Sequence, residues 1–194
     1  MIDDRDLVKW AVLTHIASEY GLHTILQVPY WRSEKTQPHF TFMGKQVPVS
    51  NRVWTFFRSI HHITRLGQEI GLSIAVVDSE FKPGQRDAYL YEVKTKIYQA
   101  KRPLALFLDP DTGLQPMKCG PEHTAIWEVE ALWPLLKAHE WLVLYQHARH
   151  TSNWRESVAD ELSSLCDCME AHIVRSDEVG KDVAFICIEK KKKA

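Results

Sequence analysis

The residues whose types and spacing could do chemistry in this chain stand at the ends of two apolar runs. Leu104-Ala-Leu-Phe-Leu108 leads into Asp109-Pro110-Asp111-Thr112-Gly113, two carboxylates a residue apart before a glycine that lets the chain turn sharply. Trp141-Leu-Val-Leu-Tyr145 is the second run, and it delivers Gln146 and His147. Two carboxylates beside an imidazole have two uses. Asp109 and Asp111 could ligate Mg²⁺ or Mn²⁺, hard cations that take oxygen ligands. Alternatively, one carboxylate could orient His147 as a general base. Asp109, Asp111 and His147 are therefore the candidate catalytic residues, with Tyr30, Trp31, Asp78 and Gln146 as candidate substrate- or cofactor-binding residues. The plain structural alternative is that Asp109 caps a turn and His147 only ends a strand.

These side chains converge only if the right elements carry them. Five apolar residues in a row are too short for a helix and fit a strand buried on both faces, the state of a central parallel strand. In an open α/β sheet, ligands bind in the crevice outside the carboxyl ends of such strands. His23–Pro29 and Ser73–Asp78 predict two further strands, so Tyr30, Trp31 and Asp78 are expected at the same rim. Between the strands come helical patterns. One opens the chain and stops at Gly21, with Leu7, Val8, Leu13, Ile16 and Ala17 on its stripe. Another carries Leu90, Val93, Ile97 and Ala100, a third starts near Thr124, and a fourth starts at Asn153, which has capping-box spacing to Glu156. A helix capped by Ser50 or Asn51 is expected to carry Val53, Phe56, Phe57, Ile60 and Ile63 and to end near Gly67 or Gly71. Its other face shows Arg52, Arg58, His61, His62 and Arg65, a stripe that could grip phosphate but reads as a solvated face. Residues 33–50 look irregular, broken by Pro38, Gly44 and Pro48. Residues 171–175 and 183–188 predict a closing antiparallel hairpin.

The expected architecture is a three-layer α/β Rossmann-like sheet, mostly parallel, in one domain over residues 1–189, with a basic, solvated tail at 190–194. With 194 residues, 45% of them apolar, the chain is long enough for a proper core. A net charge of −1 supplies no overall basic field. Cys119, Cys166, Cys168 and Cys187 form no C-x-x-C pair, which predicts free thiols in a reducing compartment. No secretory h-region and no membrane-length apolar run is visible, so a cytoplasmic protein without a membrane partner is expected.

A strand ending in Asp-Pro, followed by helix, strand, helix and closing hairpin, resembles the second half of the Rossmann-like methyltransferases. In them an apolar strand and an Asp-Pro-Pro-Tyr motif place substrate-contacting groups, and Asp109-Pro110-Asp111-Thr112 holds the matching place. Asp6-Leu-Val-Lys9-Trp-Ala-Val-Leu13 is similar to the Asp-x-x-Lys-x-x-x-Leu start of the large-subunit rRNA adenine methyltransferases. Phe107-Leu-Asp-Pro-Asp-Thr-Gly113, Trp127-Glu128 and Leu142-Val-Leu-Tyr-Gln-His147 resemble a set of uncharacterised, mainly bacterial proteins with FFDPDNG and LLVYQH motifs. The methyltransferase resemblance implies an enzyme acting on a nucleotide or nucleic acid, with S-adenosylmethionine as cofactor. S-adenosylmethionine enzymes carry a glycine-rich turn after their first strand, whereas Gln27-Val-Pro29-Tyr30-Trp31-Arg32 has no glycine, and Pro29 lacks a backbone donor.

Two other readings compete. Asp78 with Glu92-Val-Lys94 is similar to the D…(E)xK signature of metal-dependent nucleases, which requires residues 88–94 to be a strand where helical spacing is seen. A non-catalytic Rossmann-like binding module is the third reading, favoured by the missing glycine turn.

Overall fold

The computed structural model describes residues 4–32, 39–42, 44–48, 63–168, 170–176 and 180–192. Its centre is a six-stranded sheet. In chain order its strands are β1 (Thr24–Pro29), β4 (Ser73–Val76), β5 (Leu104–Asp109), β8 (Trp141–His147), β9 (His172–Val174) and β10 (Val183–Glu189), while β2 (His39–Phe42) with β3 (Lys45–Pro48) and β6 (Gly113–Leu114) with β7 (His123–Thr124) form two small separate pairs. The six lie in the order β4-β1-β5-β8-β10-β9. The first four are parallel, and β10 runs antiparallel to both β8 and β9. The sheet is thus mostly parallel, with one reversed strand, β10, slotted inside its C-terminal edge.

Helices cover both faces. They are α1 (Asp4–Glu19), α2 (Ile63–Ile70), α3 (Arg86–Gln99), α4 (Ile126–Leu132) and α5 (Trp154–Leu165). The register aligns side chains of like parity across the sheet: Leu26 opposes Leu106, Leu106 opposes Leu142, and Leu142 opposes Ile188. Because strand side chains alternate with period two, the even-numbered residues of all four strands share one face. There Leu26, Val28, Leu106, Leu108, Leu144 and Ile186 pack against α3, α4 and α5. The odd-numbered Ile25, Phe107, Val143 and Phe185 pack against α1 on the other face. Gly21, at φ 62°, ends α1, and the Leu22 N–H closes back on the Ala17 carbonyl at 2.8 Å.

Three local expectations change, and one competing reading loses the strand it requires. Residues 39–48, expected irregular, contain a two-stranded antiparallel hairpin of β2 (His39–Phe42) and β3 (Lys45–Pro48). Gly44, at φ 75°, makes its turn and Pro48 ends it, so residues read as breakers are hairpin punctuation. Lys190 belongs to the fold and not to a solvated tail: its backbone exchanges hydrogen bonds with His139 and Glu140, and its ammonium lies 4.1 Å from the Trp133 ring centroid. The Asn153 side chain makes no capping bond; its carbonyl instead accepts from the Ser157 N–H at 3.0 Å. Residues 88–94 lie inside α3 and not in a strand. The helix expected from residue 50 onward is described only as α2, and Arg52, Arg58, His61 and His62 lie outside the described residues. No helix among the described residues is long and apolar enough to cross a membrane.

Candidate active site

The carboxyl rim of the odd-numbered face is polar where the rest of that face is apolar. β1 places Gln27 there, β5 places Asp109, and β8 places Tyr145 and His147. The first turns of α1 reach the same rim and bring Lys9 into it. Its ammonium sits 3.0 Å from Asp109 Oδ1 and 3.3 Å from Asp6 Oδ1. Gln27 Nε2 donates to Asp109 Oδ2 at 2.7 Å. The Lys9 and Asp109 side chains keep only 12% and 10% of their exposure, so the pair is largely withdrawn from water. Burial opposes the charge on Lys9, but the carboxylates of Asp109 and Asp6 outweigh it and hold its pKa above the ordinary value.

Lys9 also links Asp109 to the imidazole. Its Nζ stands 4.9 Å from the centroid of the Tyr145 ring, a cation–π distance. The Tyr145 hydroxyl and His147 Nε2 are 3.0 Å apart. On the far side of the ring, His147 Nδ1 faces Asp182 Oδ2 at 3.7 Å, and Arg5 of α1 holds that carboxylate at 2.6 Å. Burial pushes the Tyr145 phenol up to about 12 despite the opposing pull of Lys9. Burial, then the charge of Arg5, lower the His147 pKa, with Asp182 working against them. Neutral imidazole at pH 7 follows, with Nε2 able to accept and Nδ1–H able to point at Asp182. The hydrogen bond from Arg5 keeps Asp182 below the usual carboxylate range.

The other candidate residues go elsewhere. Asp111 turns outward into an ion pair with Arg32, and among the described residues no three His, Cys, Asp or Glu side chains gather as a metal would need. The Asp109–Asp111 metal pair is thus replaced by two carboxylates, each answered by its own cation. Asp78 is half-exposed and faces Lys96 at 3.6 Å, while Glu92 and Lys94 lie in α3, so the nuclease constellation does not form. Gln146 projects to the even face, where it is buried and braces the loop that follows Asp109. Its Oε1 accepts from the Leu114 N–H at 2.9 Å, and its Nε2 donates to the Thr112 carbonyl at 3.0 Å. A Cβ on Gly113, whose φ is 122°, would lie 2.1 Å from Gln146 Oε1, so only glycine admits the brace. Trp31 is half-buried, and its carbonyl accepts from the Phe81 N–H at 2.8 Å.

Tyr30 is buried, with its ring 4.9 Å from that of Phe81 and 5.8 Å from that of Tyr89. Its hydroxyl donates to Glu128 Oε2 at 3.0 Å. Glu128, fully buried, also accepts from Arg86 at 2.8 Å and from the Ala125 N–H at 2.8 Å. The phenol of Tyr89 donates to the Pro29 carbonyl. The turn after β1 therefore packs against the protein's own aromatic side chains, with no glycine to admit a cofactor and one carbonyl already taken. These residues do not fit the cradle that S-adenosylmethionine needs. The two buried thiols stay protonated: burial pushes Cys166 and Cys187 up to about 12.

Of this rim cluster, sequence reasoning singles out only Asp109 and His147. Lys9 is the lysine of the Asp6-Leu-Val-Lys9 stretch, and Gln27 is the polar interruption of an apolar strand; both signals are visible in the sequence. Arg5 and Asp182 gave none, because their pairing spans 177 residues.

No family model matches the chain, and no curated protein is significantly similar to it. Among solved structures it is similar to a DUF574 family protein from Streptomyces avermitilis, at 13% identity over 96% of this chain and 82% of that one, with a TM-score of 0.42.

Proposed function

We propose that this chain is an enzyme acting on a nucleotide or nucleic acid at the carboxyl rim of its methyltransferase-like sheet, with His147 as the base and Asp109 as the group that orients the substrate. The observation that carries the reading is the burial of Lys9 against Asp109 beside the Tyr145–His147 pair. A buried ion pair contributes little net stability compared with apolar residues of the same volume. Its retention at the ligand-binding edge of an α/β sheet is better explained by chemistry. In this scheme neutral His147 takes the Tyr145 hydroxyl proton through Nε2 as that hydroxyl takes one from the bound substrate, and Asp182, across from Nδ1, steadies the imidazolium that forms. Asp109, paired with Lys9, orients the substrate by accepting a hydrogen bond. The substrate class rests on the resemblance in fold.

The test is calorimetric titration of the protein with nucleoside mono-, di- and triphosphates and with S-adenosylmethionine, followed by mass spectrometry of each bound compound. A nucleotide that binds, is converted, and loses conversion at least tenfold in Asp109→Asn and in His147→Ala but not in Asp78→Asn supports the enzyme. A second reading, the non-catalytic binding module, is favoured by the Tyr30–Phe81–Tyr89 packing after β1. Binding without conversion would establish that one and end the first.

A further inference from the structure

Gln27 is only half satisfied inside the protein. Its side chain reaches from β1 to the rim, where Nε2 donates to Asp109 Oδ2 at 2.7 Å. That bond orients the carboxamide, so its other end is an oxygen acceptor. Gln27 keeps only 8% of its exposure. Among the described residues nothing donates to its Oε1, yet the atom is not sealed from solvent. A carboxamide oxygen so nearly buried forgoes a hydrogen bond until a donor arrives. The neighbouring groups do not supply one. The Lys9 ammonium is engaged by Asp109 and Asp6 and lies over the Tyr145 ring. The Tyr145 hydroxyl stands against His147 Nε2, and Arg5 holds Asp182. Beside Asp109 the rim therefore offers acceptors: Gln27 Oε1 and the carboxylate lone pairs that Lys9 and Gln27 leave open.

Acceptors select their ligand. A phosphate would meet Asp109 with like charge and has no proton to give. An ammonium would meet Lys9, already 3.0 Å from the same carboxylate. Uncharged donors remain, and of these a hydroxyl can yield a proton to the Tyr145–His147 relay, whereas a neutral amine is far too weak an acid. We infer that Gln27 is a specificity-determining residue, its Oε1 and the Asp109 carboxylate each accepting from one hydroxyl of a vicinal diol, the ribose edge of the substrate. The Gln27–Asp109 bond holds the two acceptors side by side on the paired strands β1 and β5, within the span of adjacent hydroxyls on one ring. A buried acceptor left unpaired is also what lets a site reject an analogue that lacks one hydroxyl. The inference deepens the proposed function and rests on it for the class of substrate. It narrows that class, because a free vicinal diol belongs to a ribonucleotide or to the 3′ end of RNA, and not to DNA.

Calorimetric titration of the wild-type protein with ribonucleoside 5′-monophosphates and with their 2′-deoxy and 3′-deoxy counterparts tests it. Each deoxy form is expected to bind about ten- to hundredfold more weakly than the ribo form, the effect of one hydrogen bond to a withdrawn acceptor. Gln27→Met keeps the length of the side chain and removes both polar atoms. In that variant the ribo form should weaken, and one of the two hydroxyls should cease to matter, its deoxy form binding within about threefold of the ribo form. A merely structural role for Gln27 would lower all three affinities together and leave their ratios unchanged. The wild-type comparison decides the matter even if Gln27→Met does not fold. Either deoxy form binding wild type as tightly as the ribo form, no binding of any of these compounds, or unchanged ratios in Gln27→Met overturns the inference. Ribose-selective binding without conversion upholds it and ends the enzyme reading, whereas equal binding and conversion of all three sugars does the reverse.

Discussion

At the scale of the residue, His147 is the group whose protonation state matters. Folding lowers its pKa from 6.5, first through burial and then through Arg5. The unfolded chain therefore takes up this proton first as pH falls. The stabilising contribution is complete above pH 6.5 and is lost progressively between there and the lower folded value. His123, also lowered by burial, adds a slope of the same sign. Urea unfolding from pH 5 to 8 should show stability rising with pH below neutrality, a weaker slope in His147→Gln, and almost none in the His147→Gln/His123→Gln double variant. NMR titration of the imidazole should place the pKa of His147 higher in Arg5→Ala than in wild type. An unchanged value would mean that Arg5 exerts no field at the ring.

At the scale of the element, α1 is fastened to the rim by charge as well as by its apolar stripe. Asp109→Leu leaves the Lys9 ammonium withdrawn from water with Asp6 as its remaining carboxylate, and should cost about 3 kcal/mol. Adding Lys9→Met removes the stranded charge and should recover more than half of that loss. The double-mutant cycle, read by denaturant midpoints, measures the coupling directly. A double variant no more stable than Asp109→Leu alone would show that the pair is not coupled. The Asp-Pro loop is fixed differently, by Gln146 reaching from β8 to the Thr112 carbonyl and the Leu114 N–H. Gln146 and His147 are neighbours in sequence with opposite duties because adjacent strand residues point to opposite faces.

At the scale of the whole molecule, what was legible in the sequence was what burial writes into it. The runs at 104–108 and 141–145 are continuous because those strands are covered on both faces, and they predicted both the parallel sheet and its rim. The E-x-K string folded as helix because Leu90, Val93 and Ile97 follow a helical period, and that period prevails over a three-residue motif. Partners separated by most of the chain were not legible. Lys9 and Asp109 are 100 residues apart, and no local pattern marks their meeting. Glu128 was equally hidden: it appeared as the acid at a helix start, yet it is buried at the junction of Tyr30, Arg86 and the Ala125 backbone. This knot ties β1, α3 and α4 together, so Glu128→Gln should destabilise the fold globally by about 3 kcal/mol. Every spectroscopic probe should shift to the same midpoint. Separate transitions would limit the knot to a local role.

Arg5 and Lys9, near the beginning of the chain, grip carboxylates at Asp182 and Asp109. During synthesis the leading helix must wait for both. A ribosome that has exposed the first four parallel strands holds a sheet without its imidazole braced, because Asp182 is still unmade. Rim assembly is thus a late event in translation, and a nascent chain arrested before β10 should carry every residue of the Asp-Pro loop and still have no finished site.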